Sequence, residues 1–173
     1  MRYLRMATTQ QITDALIQEA ITNAVQNVSR ILIRQEAKFG ERLSVEGIEA
    51  APPHFQVMGN VGFVGDINGI VYLCMNDAFA IHTVGSILGM SASEVEFNGH
   101  EVVKDAIGEV TNMMVGGFKN ALCDVGFPCK LTLPTIVRGN HLKVSAIKGT
   151  ARHIFRFDCG GGSLFADIQV KME

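Results

Sequence analysis

The chain has 173 residues, of which 47% are apolar and 18% charged, and its formal net charge is −2. This length and composition favour one domain around a single core and exclude a disordered chain. The charge balance, without any Lys/Arg cluster, excludes a nucleic-acid binder. The longest purely apolar run, Ile70 to Met75, is far shorter than the ~20 residues of a bilayer span, so we expect no membrane insertion.

The start of the chain and its thiols indicate a cytoplasmic protein. Met1 to Met6 lacks the apolar segment of a secretory signal, and we expect residues 1–7 to form a flexible extension of one domain over residues 1–173. The histidines are scattered and form no HExxH pair, so no metal site is expected. The cysteines have no paired spacing and are interpreted as reduced thiols: Cys74, Cys123, Cys129 and Cys159.

The first third of the chain predicts one amphipathic helix followed by little regular structure. Thr8 and Gln11 have the form of a capping box, and apolar residues then recur at helical spacing to about Arg30. A strand is expected over Ile31 to Arg34, and an irregular stretch should follow as far as Pro52-Pro53.

A hairpin is predicted between His54 and Met75. Val57, Val61 and Phe63 suggest one strand and Ile70 to Met75 the other, with Asp66-Ile67-Asn68-Gly69 as the turn. Glycines 59, 62 and 65 lack the spacing of a phosphate loop and precede no helix, so they favour a bent hairpin.

Three helices should follow, each with an N-cap in the sequence. The first runs over Asp77 to Leu88 and closes at Gly89, and the third and longest reaches about Asp124, where Gly126 and Pro128 end it. Ser91 with Glu94, and Asn98 with Glu101, have the form of capping boxes. The predicted N-caps are Asn76, Ser91 and Asn98.

The remaining residues predict strands joined by short turns at Gly139-Asn140 and Gly160-Gly161-Gly162, and such connections favour antiparallel pairing. The fold class is therefore α/β (α+β), with a mostly antiparallel sheet packed against long helices. The predicted strands are Lys130 to Val137, Leu142 to Ile147, His153 to Phe157 and Leu164 to Lys171.

A polar stripe marks the longest helix. At about 100° per residue, Glu109, Asn112 and Gly116 all fall within about 40° of Asp105 on the helical wheel. Asp105 and Glu109 are like charges one turn apart, which costs ~0.2–0.5 kcal/mol, and Gly108 and Gly116 each cost ~1 kcal/mol relative to Ala. These residue types alone leave a functional surface and a plain solvated face equally open. The opposite, core-facing side holds Ala106, Ile107, Val110, Met113, Met114 and Phe118.

The run Asp105-Ala106-Ile107-Gly108-Glu109-Val110-Thr111-Asn112-Met113 resembles the motif helix of the CheX and CheC chemotaxis phosphatases. Those proteins remove the phosphoryl group from the aspartyl phosphate of the response regulator CheY. The order of elements agrees, and Leu131-Thr132-Leu133-Pro134-Thr135 resembles a proline-containing segment downstream of the family's motif. The resemblance extends from about Gln11 to Val170 and implies a CheC/CheX-like fold.

The resemblance also implies roles for the polar stripe. Asn112 would orient the attacking water and Glu109 would pair with a lysine of the receiver domain, so these two are the expected catalytic residues. Asp105, Gly108 and Gly116 are expected partner contacts. The chain would need no cofactor of its own, because the receiver supplies the divalent cation, Mg²⁺.

A single motif implies a CheX-type homodimer with one site per chain, whereas CheC-type proteins carry two. The opening helix has Glu19-Ala20-Ile21-Thr22-Asn23, in which the Glu and Asn are one residue too far apart. Two alternatives remain. One is a non-enzymatic adaptor, similar to flagellar switch proteins, that binds a response regulator. The other is an unrelated hydrolase that uses Asp105 and Glu109 as an acid/base pair.

Overall fold

A computed structural model describes residues 11–172, in which seven strands form one sheet with every pairing antiparallel. The strands are β1 Ala37–Leu43, β2 Phe55–Gly65, β3 Gly69–Met75, β4 Cys129–Leu131, β5 Thr135–Leu142, β6 Thr150–Cys159 and β7 Gly162–Lys171. Their order is β1-β6-β7-β3-β2, and both β4 and β5 pair with the outer side of β2.

The α-helices are α1 Asp14–Val28, α2 Val45–Ala50, α3 Asp77–Leu88, α4 Ala92–Asn98 and α5 His100–Asp124. Helices α1, α3 and α5 pack on one face of the sheet, where their apolar sides join alternate strand residues in one core. The predicted class, a mostly antiparallel sheet packed against helices, is confirmed. Between residues 11 and 172, no helix is long and apolar enough to cross a bilayer.

Several predictions that rest on capping and turn residues are confirmed. The predicted hairpin forms from β2 and β3, and Val61 pairs with Val71. The Asn76 side chain accepts a hydrogen bond from the Phe79 amide at 2.7 Å, and Ser91 with Glu94 forms a reciprocal capping box. Such caps satisfy helix-end amides locally, so they need no tertiary contact to be recognised.

The start of the first helix differs from the prediction. Helix α1 is capped by Thr13, whose hydroxyl accepts a hydrogen bond from the Leu16 amide at 3.1 Å. The predicted cap Thr8 and the expected extension over residues 1–7 lie outside the described residues.

The predicted strand at Ile31 to Arg34 is wrong. Ser29–Ile33 forms a π-helical turn that continues α1, and Arg34 ends it in the left-handed conformation with φ of 61°. The amide of Gln35 donates to the Ser29 carbonyl at 3.1 Å, which closes the turn. The isoleucine-rich run resembles a strand, but the preceding helix propagates through it because each further residue adds a hydrogen bond.

The stretch expected to be irregular contains β1 and α2. Strand β1 lies at the sheet edge, so only Ala37 of its side chains is fully buried and apolar alternation is weak. Helix α2 buries no residue and is recognised by its Ser44 cap, which accepts a hydrogen bond from the Gly47 amide at 3.1 Å.

The predicted cap of the longest helix is also wrong. The side-chain amide of Asn98 donates to the carbonyl of Glu94 at 2.7 Å, so it closes α4 and does not open α5. Gly99, with φ of 86°, joins the two helices. The Asn98 side chain therefore forms its hydrogen bond with a backbone group of the helical turn that precedes it.

The predicted strands at Lys130 to Val137 and Leu142 to Ile147 are only partly correct. The first is interrupted between β4 and β5, and the predicted turn at Gly139-Asn140 is an irregularity inside β5. Residues 143–149 form no strand. They cross the sheet and are held by side chains: Gln169 donates to the Ser145 carbonyl at 3.0 Å and accepts from the Ile147 amide at 2.7 Å.

Candidate functional site

The polar stripe of α5 is presented to solvent. Asp105, Glu109 and Asn112 are exposed and Gly116 is half-buried. The ion pairs formed among residues 11–172 lie elsewhere, so both carboxylates are available to a partner. The core side is buried as predicted, except at Met113, which is 37% exposed and borders the stripe.

Thr111 and Gly59 fix how closely α5 approaches the sheet. Thr111 is fully buried, and its hydroxyl donates to the Ile107 carbonyl at 2.7 Å. A Cβ added to Gly59 of β2 would overlap the Thr111 hydroxyl and lie 3.0 Å from the Ile136 side chain. The absence of a side chain at Gly59 therefore sets the distance between the helix and the strands beneath it.

The second wall of the site is an interruption of the sheet edge. Leu131 pairs with Phe63 and Thr135 pairs with Asn60, so residues 132, 133 and 134 stand opposite only residues 61 and 62 of β2. One residue is extra, which defines a β-bulge; such bulges often redirect a side chain near functional sites. We call these three residues the 132–134 bulge.

Thr132 anchors the 132–134 bulge to β2. Its amide donates to the Gly62 carbonyl at 2.9 Å, and its side-chain oxygen accepts from the Gly62 amide at 2.9 Å. The hydroxyl thus replaces a backbone acceptor that the interrupted ladder lacks. Pro134, which has no amide hydrogen to leave unpaired, completes the bulge beside α5.

An open groove lies between α5 and the 132–134 bulge. It brings together four of the five site residues predicted from the sequence and leaves Gly116 farther along the stripe, outside the lining. The lining residues are Glu101, Lys104, Asp105, Gly108, Glu109, Asn112, Leu133, Pro134, Thr135 and Ile136.

Neither glycine of the stripe is required by the protein's own packing. A Cβ at Gly108 would make an ordinary 3.6 Å contact with Ile136, and one at Gly116 would meet nothing within 4 Å. Because each glycine costs helix stability, about 1 kcal/mol relative to Ala, internal packing does not account for them. Both positions leave surface on which another molecule can lie close to the backbone.

Three residues that line or support the groove were not singled out from the sequence. Leu133 is 89% exposed at the tip of the 132–134 bulge, and Lys104 lines the groove one turn before Gly108. Thr111 positions the helix from its buried side. The sequence features that could have pointed to Leu133 and Thr111 were a leucine directly before Pro134 and a threonine within an otherwise apolar helix face.

The cysteines contribute no nucleophile to this groove. All four are free thiols, and none lines it. Burial raises the pKa of Cys159 to about 11, and burial also raises the pKa of Cys74 strongly. A raised pKa suppresses the thiolate, the reactive form.

The groove is suited to orienting groups on another molecule. The Asn112 carboxamide both donates and accepts hydrogen bonds, and the Glu109 carboxylate accepts them or pairs with a cation. Both are exposed one helical turn apart, about 5–6 Å between Cβ atoms. The acid/base alternative fits poorly, since Asp105 and Glu109 lie in solvent and such a pair needs a desolvated pocket.

Comparison with solved structures places this fold in a known class. A CheC-like superfamily protein from Shewanella sp. PV-4 superposes with a TM-score of 0.78 at 22% identity, over 94% of this chain and all of that one. The CheX subunit of a CheX–CheY–BeF3–Mg²⁺ complex from Borrelia burgdorferi gives a TM-score of 0.71 at 22% identity, over 90% and 98% of the chains. The fold is that of the CheC-like proteins.

Sequence comparison identifies the family within that class. The model of the chemotaxis phosphatase CheX family matches residues 57–158. The CheY-P phosphatase CheX of Thermotoga maritima is 30% identical over 134 residues, which are 77% of this chain and 82% of that protein. The chain belongs to the chemotaxis phosphatase CheX family.

Proposed function

We propose that this protein hydrolyses the aspartyl phosphate of a CheY-like receiver domain, in chemotaxis or a related two-component pathway. The observation that carries the proposal is the placement of Glu109 and Asn112 side by side in an open groove. A phosphoryl group on a folded protein needs an open surface into which the receiver can dock. The relative from Thermotoga maritima is named a CheY-P phosphatase, and the Borrelia CheX is named in complex with CheY.

Glu109 is proposed to fix the register of the two proteins. Its exposed carboxylate would pair with a lysine beside the receiver's phosphoryl group, and desolvation on docking would strengthen the pair. The receiver would also contribute the divalent cation, Mg²⁺, which supplies charge stabilisation at the phosphoryl oxygens. Asp105, Gly108 and Gly116 would extend the docking surface along α5.

Asn112 is proposed to hold the attacking water. Its carbonyl oxygen would accept a hydrogen bond from that water and its amino group would donate one, which would orient the oxygen toward phosphorus. The carboxamide is no base at neutral pH, so its contribution is geometric. Positioning and electrostatics carry most of the catalysis in phosphoryl transfer, so a neutral side chain suffices.

A homodimer in the cytoplasm is part of the proposal. The sheet has β1 at one edge and β4 with β5 at the other, and exposed sheet edges are commonly covered. The proposed substrate is a cytoplasmic response regulator. Light scattering at micromolar concentration should give about twice the chain mass, and a monomer at every concentration would remove the dimer from the proposal.

The central experiment is a dephosphorylation assay. Candidate receiver domains are charged with a small phosphodonor, the protein is added, and loss of aspartyl phosphate is followed. Acceleration over the receiver alone is the expected result. A protein that binds the phosphorylated receiver without accelerating its hydrolysis would instead be an adaptor.

A further inference from the structure

Leu133 is an apolar side chain that the fold itself does not use. It is 89% exposed and lies outside the core clusters of the described residues. A single exposed leucine on a surface is ordinary. This one differs because the chain departs from regular strand geometry at this position.

The geometry around Leu133 holds it in place. The bonds from Thr132 to both backbone groups of Gly62 secure one side, and pairing resumes at Thr135 opposite Asn60 on the other. Proline at position 134 restricts the backbone in between. Because the backbone at Leu133 is already held in place, binding of this side chain costs little backbone conformational entropy.

The surroundings of Leu133 indicate what it contacts. It lines the same groove as Glu109 and Asn112, and on its side of the groove Pro134 and Ile136 are half-buried and apolar. The opposing side, on α5, is polar. A molecule docked in the groove would therefore place a polar region against α5 and an apolar region against the 132–134 bulge.

We propose that Leu133 is a docking residue that inserts against an apolar patch next to the phosphorylation site of the receiver domain. This inference rests on the proposed function and adds the apolar half of the interface. Leu133 acts on binding and does not touch the reacting atoms. It is therefore expected to contribute equally to the ground state and the transition state.

A second copy of the chain is a poorer occupant. Association through a sheet edge needs a continuous row of amide and carbonyl groups, and here the extra residue and Pro134 interrupt that row. The shared groove with the catalytic pair favours the receiver instead. In the experiment below, self-association is followed separately by light scattering.

The test compares Leu133→Ser with Ile31→Ser. Ile31 is 70% exposed and does not line the groove, so both variants remove a large exposed apolar side chain. Affinity is measured for a receiver domain charged with beryllofluoride, a stable mimic of the aspartyl phosphate. Turnover is measured with the phosphorylated receiver, and melting curves confirm that each variant is folded.

Leu133→Ser should weaken binding about tenfold or more and raise KM in parallel while kcat is unchanged, because burial of one leucine is typically worth at least this factor. Ile31→Ser should match the wild type, and Leu133→Met should restore most of the affinity. Equal affinity of Leu133→Ser and wild type would overturn the inference and leave the phosphatase intact. If the wild-type protein binds no receiver, both this inference and the proposed function are overturned. An affinity loss of Leu133→Ser that is caused by altered self-association would appear in light scattering as a changed molecular mass and would also overturn the inference.

Discussion

Helices α1 and α5 each carry an exposed glutamate and asparagine one turn apart, yet only the pair on α5 lines the groove beside the 132–134 bulge. On α1 the pair is Glu19 and Asn23, four residues apart, and on α5 it is Glu109 and Asn112, three apart. Both spacings place the two side chains on one helix face. Glu19 and Asn23 do not line the groove, whereas α5 lies beside the 132–134 bulge.

This comparison indicates that a helix motif supplies only half of such a site. The other half comes from the sheet edge, where a backbone irregularity places an apolar wall at a fixed distance from the polar stripe. That distance depends in turn on the contact between Thr111 and Gly59 on the buried side.

Replacement of Asn112 by alanine should abolish most of the activity. If its carboxamide holds the water, the hydrolysis rate falls ~10²-fold or more, equivalent to about 3 kcal/mol of barrier. The exposed side chain buries little, so the melting temperature should be nearly unchanged. Single-turnover loss of aspartyl phosphate measures the effect, and a folded variant with wild-type turnover would exclude Asn112 as the catalytic residue.

Replacement of Glu109 by lysine should weaken docking. The new charge would face the lysine expected on the receiver, and like charges brought together at an interface are strongly unfavourable. Affinity for the phosphorylated receiver should fall at least tenfold, which is about 1.4 kcal/mol. Glu19→Lys makes the same charge change on α1 and should bind as wild type does. Equal effects of the two variants would indicate a nonspecific charge effect.

Replacement of Gly116 by alanine should separate stability from binding. Nothing lies within 4 Å of the added methyl group, so the helix should gain about 0.5–1 kcal/mol in free energy of unfolding. If the receiver covers this part of the stripe, its affinity should fall severalfold despite the gain. Urea unfolding and a binding titration measure the two quantities, and a stabilised variant with unchanged affinity would remove Gly116 from the docking surface.

Replacement of Asn23 by alanine should have the smallest effect, less than twofold on turnover. The side chain is exposed, and no second wall from the bulge lies beside it. Comparison of its turnover with that of Asn112→Ala tests whether Glu19 and Asn23 on α1 form a second active site. A large loss of activity in it, with the fold intact, would mean that the protein has two sites.

The sequence predicted those parts of the molecule that depend on local signals. The caps at Asn76 and Ser91 satisfy helix-end amides within one turn, and spaced apolar residues mark β2 while a continuous apolar run marks β3. The polar stripe follows from helical periodicity alone. The family resemblance then gave the stripe its expected roles.

Features that depend on pairing between distant segments could not be predicted in the same way. The bulge exists because three residues after Leu131 meet two residues of β2, and that count requires knowledge of the register. The contact of Thr111 with Gly59 likewise joins segments about fifty residues apart, and a threonine within a helix carries no signal for it. At Asn98 the local sequence is ambiguous, because its side chain can form a hydrogen bond either at the end of α4 or at the start of α5.

The bulge also has an evolutionary consequence. The register of β4 on β2 differs from that of β5 by one residue, so deletion of Leu133 alone would bring Leu131 and Thr135 into one register along β2. A single codon therefore separates a continuous register from the 132–134 bulge, with no change in topology. Lineages with this fold could gain or lose the groove by one insertion or deletion, independently of the motif on α5.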